Sequence, residues 1–164
     1  MTKLNSFIYL FAIWCFSINS FCQSKLELIS FKSLNTVKTP NVESSILLKN
    51  NGVEVSVTVS IKQVDAEKIK IKSILDTVFI IKSQSFDKLE NAVLTLNSTS
   101  FLSNIRFKGM KGFETEVTFG NDYNAIIYRV WSPFVETKKR GLDPYINFCK
   151  QIVKIGKLDA KSVL

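Results

Sequence analysis

The stretch Val53-Glu54-Val55-Ser56-Val57-Thr58-Val59-Ser60-Ile61-Lys62 decides the fold class, because apolar and polar residues alternate through it with a period of two. Successive side chains of a strand point to opposite faces, so this segment predicts a strand with one face in a core and the other in water. Just upstream, Asn50-Asn51-Gly52 supplies residues that tolerate positive φ, which a tight hairpin turn requires, and Ser45 to Lys49 is a second apolar run. The two runs are expected to pair antiparallel.

Working outward, Leu26 to Lys32 predicts a further strand, and Lys68 to Lys72 alternates again through Ile69 and Ile71. The β-branched run Thr77 to Lys82 suits a strand buried on both faces. The period then changes. Phe86, Leu89, Val93 and Leu96 recur at spacings of three and four behind Ser85, a capping residue type, which predicts a helix over about 86–96. Asn97-Ser98-Thr99 ends it.

Three more strands are expected at Ser103–Lys108, Phe113–Phe119 and Ala125–Trp131, joined by Gly109–Gly112 and Gly120–Asn124, both of hairpin length. Asp143-Pro144 opens a second helix, about 144–155, with Tyr145, Phe148, Cys149 and Ile152 on one face and Gly156 as its terminator. Runs of strands punctuated by single helices mark an α+β domain rather than alternating βαβ units. The expected architecture is mainly antiparallel sheet with the two helices packed on one face.

The first residues carry a different message. Lys3 precedes an apolar run from Phe7 to Ile18, and Ser20-Phe21-Cys22 places small residues at −3 and −1 of a cut after Cys22. That is the pattern of a cleavable secretory signal over 1–22, too short for a spanning helix, with a single exported domain over 23–164. No membrane span is expected after cleavage. The export predicts a periplasmic or extracellular address. Cleavage removes Cys15 and Cys22, leaving Cys149 as the sole thiol on the apolar face of the second helix, where a buried and inert group is expected.

The formal charge of the chain is +8, from 22 Lys and Arg against 14 Asp and Glu. The cations are scattered and mostly Lys, so anionic envelope components are better partners than nucleic acid. The densest group, Lys138-Lys139-Arg140, is expected to be a solvated basic loop. The chain contains no His, which removes Ser-His-Asp and Cys-His catalysis together with His-ligated metals. With one thiol left and no calcium-loop pattern, no metal or cofactor is expected.

Glu114 and Glu116 are the candidate catalytic pair, because i and i+2 on a strand share a face. Burial of Val117 and Phe119 with Tyr128, Val130 and Ile126 sets a register that puts Arg129 opposite Glu116 and Trp131 opposite Glu114, with Arg106 opposite Glu114 on the other side. The preferred expectation is therefore a charged surface ladder, and a non-catalytic binding module of the bacterial envelope or extracellular space. Its expected contact residues are Arg129, Trp131, Lys138, Lys139 and Arg140, its partner a protein or an anionic envelope component. The alternatives are a carboxylate-dependent hydrolase of a polysaccharide centred on Glu114 and Glu116, and a carrier of a small apolar ligand.

Overall fold

The structure is a computed structural model that describes residues 26–36, 41–65, 70–96 and 112–164. The expected signal, the 97–99 triplet and the strand at 103–108 lie outside the described residues. The elements are β1 (Leu28–Asn35), β2 (Asn41–Asn50), β3 (Val55–Asp65), β4 (Lys70–Ile81), α1 (Ser83–Leu94), β5 (Phe113–Gly120), β6 (Ala125–Trp131), α2 (Asp143–Ile155) and α3 (Ala160–Val163). Among the described residues the strands form one six-stranded sheet in the order β4-β3-β2-β1-β5-β6, antiparallel throughout. It is an α+β domain dominated by its sheet.

The β2–β3 hairpin forms as its turn residues dictate. Asn50 Oδ1 accepts the Gly52 N–H at 3.0 Å, and Asn51 Oδ1 accepts those of Val53 and Glu54 at 3.0 and 2.7 Å. Gly52 sits at φ +88°, a conformation that a Cβ would strain. The resulting register, Asn50 opposite Val55 through Asn41 opposite Val64, turns Val55, Val57 and Val59 into the core with Ile46 and Leu48. A slip of one residue would expose all of them.

Alternate side chains of β1, β2, β3 and β5 join the buried residues of α1 and α2 in a single apolar cluster, with Phe31, Phe86, Phe148 and Tyr145 as its largest fully buried members. Gly156 lets the end of α2 come down on β2, since a Cβ there would meet Ile46 Cδ1 at 2.7 Å. It acts by its size: its backbone is right-handed, and the positive φ falls on Lys157.

Several expectations need correction. The two short strands predicted around Lys68–Lys72 and Thr77–Lys82 are one strand, β4, continuous over Lys70–Ile81. Far from being buried on both faces, it has one strand neighbour among the described residues, with Val78 66% and Ile80 61% exposed. Helix α1 starts at Ser83, with Lys82 in the cap position and no side-chain cap bond, so Ser85 lies within the first turn. On β6 only Val130 is buried, while Tyr128 is half-buried and Ile126 exposed, because β6 has one strand neighbour among the described residues.

Candidate functional site

The pairing of β5 with β6 places Glu116 opposite Arg129 and Glu114 opposite Trp131, the register expected from burial alternation. The other neighbour of β5 is β1, which sets Lys32 beside Glu116 and Leu34 beside Glu114. Both sides of β5 are thus occupied, and the anticipated ladder position of Arg106 opposite Glu114 does not exist. Strand β1 takes it because its own alternation through Ile29, Phe31 and Ser33 supplies a strand with one fully buried face.

Arg129 binds both carboxylates. Its Nε lies 3.0 Å from Glu116 Oε2 and 3.1 Å from Glu114 Oε1, and its second terminal nitrogen donates to Glu116 Oε2 at 2.5 Å. The hydrogen bond from Arg129 to Glu116, then the charges of Glu116 and Glu114, push the guanidinium pKa up. The cluster lines a shallow depression of about 220 Å³ together with Lys32, Ser33, Leu34 and Glu43. Lys32 and Glu43 were not legible as site residues, because only the strand order β2-β1-β5 brings Lys32 beside Glu116 and sets Glu43 across Leu34 from Glu114.

Trp131, at the end of the same face, is half-buried. Its indole lies across Gly112, where a Cβ would fall 2.3 Å from the ring. Gly112 is fixed in turn by Thr36, whose hydroxyl gives to its carbonyl and takes its N–H, both at 2.8 Å. Replacing Gly112 with Ala is expected to lower stability by about 1–2 kcal/mol and to displace the indole. A shifted tryptophan emission maximum with little change in far-UV circular dichroism checks this.

The basic loop divides in two. Lys138 and Lys139 are exposed, and Lys139 Nζ pairs loosely with Glu136 Oε1 at 3.6 Å. Arg140 does not fit the expected solvated loop: it is 8% exposed, and its guanidinium donates to the carbonyls of Trp131, Ser132 and Val135 at 3.0, 2.7 and 3.2 Å. Burial holds its pKa below the ordinary value, offset in part by Glu136. Arg140 thereby fastens the loop to the end of β6, and Lys138 and Lys139 are its accessible cations.

A wider opening of about 520 Å³ lies at the opposite end of the strands, between Leu26–Leu28, Lys49–Gly52 and Asn121–Asp122. Its amides are largely engaged in building turns. Asn51 Oδ1 closes the β2–β3 turn, and Asn121 Oδ1 accepts the N–H groups of Tyr123 and Asn124 at 3.0 and 2.8 Å. Among the described residues no three His, Cys, Asp or Glu side chains gather as metal ligands, and no helix is long and apolar enough to cross a membrane.

No family model, curated protein or solved structure matches this chain. Its class is accordingly set by fold and geometry alone: a sheet-dominated α+β domain with an ion cluster and a tryptophan at one margin of the sheet.

Proposed function

We propose that this chain is a non-catalytic interaction module, exported by a cleavable signal, that binds an anionic envelope component through the sheet face opposite its helices. Three contacts made by the second helix and its end support this reading by falling on one strand parity: Tyr145 on Thr115, Gly156 on Ile46 and Lys157 over the Phe79 ring. The other parity is left to Ser30, Lys32, Ser45, Thr58, Ser60 and Arg129, none of them buried. An antiparallel sheet tolerates one wet face, so openness alone is no argument for binding.

The observation that carries the reading is the juxtaposition at β5–β6. Arg129, 64% exposed at its side chain, stands beside Ile127, 56% exposed, and half-buried Trp131, with Lys138 and Lys139 on the following loop. Aromatic, aliphatic and cationic groups together are what a recognition surface needs. The shared guanidinium engages both carboxylates, so neither stands apart as the proton donor that a hydrolase would require.

The mature chain is expected to cosediment with isolated cell-envelope fragments at low ionic strength and to be released by salt. Reversing Arg129, Lys138 and Lys139 to Glu should cut the bound fraction about tenfold or more. Binding of the triple variant equal to that of the unaltered chain, at matched circular dichroism, would move the site elsewhere.

A further inference from the structure

An edge strand with exposed apolar side chains is a template for further pairing, and proteins normally guard such edges with charges, bulges or proline. Among the described residues strand β4 is such an edge, and it is guarded along its first half only. Lys70 and Lys72 lie there, and Ile74 is an extra residue, since Ser73 faces Lys62 while Leu75 faces Ile61. From Leu75 to Ile81 the strand is regular, contains no proline and carries a single charge, Asp76. Val78 and Ile80 remain 66% and 61% exposed on it.

This half-strand is complementary to itself. When two copies run antiparallel with the dyad at Phe79, Asp76 faces Lys82 of the other copy, Thr77 faces Ile81, and Val78 faces Ile80. Every pair occurs twice. Asp76, Val78 and Ile80 are opposite Ser60, Thr58 and Ser56 of β3, so they share the face that carries Arg129. Both charge pairs and both aliphatic pairs are therefore formed on one side of a continued sheet, as cross-strand pairing requires.

Neighbouring registers lack this match. A dyad at Val78 sets Asp76 against Ile80, a dyad at Thr77 brings Lys72 against Lys82, and a dyad at Ile80 sets Val78 against Lys82. We propose that a second copy of this chain docks on β4 between Asp76 and Lys82, forming a two-fold dimer with one continuous antiparallel sheet. The dyad runs perpendicular to the sheet, so both open faces lie on the same side with their Arg129 clusters at opposite ends. The dimer does not depend on envelope binding, and its test is separate.

Sedimentation equilibrium of the mature chain is expected to show a concentration-dependent species of twice the monomer mass. Asp76→Lys and Lys82→Asp should each weaken association about 10- to 100-fold, since two opposite-charge pairs become two like-charge pairs. The double exchange should restore it to near the starting value. Both side chains are exposed, and Asp is a favourable cap residue for α1, so the fold is retained in every variant. A monomer at all concentrations, a dimer indifferent to both single reversals, or an exchange that restores nothing would each overturn the proposal.

Discussion

Replacing Arg140 with Ala is expected to lower the free energy of unfolding by about 3 kcal/mol. Arg140 is 8% exposed, and its guanidinium holds three carbonyls, those of Trp131, Ser132 and Val135. Truncation leaves those acceptors in a partly dry loop whose backbone is already bent into positive φ at Ser132 and Glu136. Hydrogen bonds to a charged donor contribute more than neutral ones, and a buried acceptor left without a partner costs about 1–3 kcal/mol. The same residue also takes its desolvation cost away, which keeps the net effect well below the sum of three strong bonds.

Arg140→Lys keeps the charge but gathers its donors on one atom, whereas the guanidinium reaches three carbonyls from two separate nitrogens. It should recover about one third of the loss. Urea unfolding of the three proteins gives the comparison, with equal m-values showing that the same structure unfolds. A loss under about 1 kcal/mol for the Ala variant would mean that the carbonyls turn to water and that the loop is held by other bonds, among them Ser132 N–H to the Phe113 carbonyl.

What the sequence disclosed follows a physical division between local and non-local causes. The β2–β3 hairpin was legible because its alternation and its Asn-Asn-Gly turn act within a few residues. The β5–β6 register was legible for the same reason, and with it the meeting of Arg129 with Glu116. Strand order was not. That β1 lies between β2 and β5 is decided by which faces can be buried together across the whole domain. Consequently Lys32 and Glu43 were missed, and Arg106 was assigned a ladder position that β1 occupies.

Strand β4 shows the limit most clearly. Thr77-Val78-Phe79-Ile80-Ile81 has the composition of a strand covered on both faces, yet among the described residues it stands at an edge with Val78 and Ile80 open. Composition reports what a strand can bury, and position in the sheet decides what it does bury. Arg140 illustrates the converse. In a run of three cations it is indistinguishable from its neighbours, and only the geometry of the loop turns it inward.

The second large effect is expected in alkali. Cys149 is 2% exposed, and burial pushes its thiol from an ordinary 9.0 to about 12. Tyr145, beside it and donating to Thr115 Oγ1 at 3.0 Å, is pushed up from an ordinary 10.0 as well, again chiefly by burial. In the unfolded chain both groups lose their protons near their ordinary values, while in the folded chain they hold them. Their contribution to stability is therefore complete below pH 9 and is lost as pH rises from there toward 12, with Tyr145 adding to the slope above pH 10.

Each proton retained only by the folded state lowers stability by about 1.4 kcal/mol per pH unit. By about pH 11 the two groups together remove roughly 4 kcal/mol, a large share of the 5–15 kcal/mol typical of a domain. Unfolding free energies measured from pH 8 to 11 should fall steeply for the unaltered chain, and Cys149→Ala should remove about two thirds of that fall by pH 11. Tyr145→Phe should remove the remainder and leave the Thr115 hydroxyl to its 3.4 Å bond with the Val130 carbonyl. The slopes separate this linkage from the ordinary cost of truncating a core side chain, which shifts all pH values alike. Parallel curves for Cys149→Ala and the unaltered chain would show that the thiol reaches solvent before the domain unfolds.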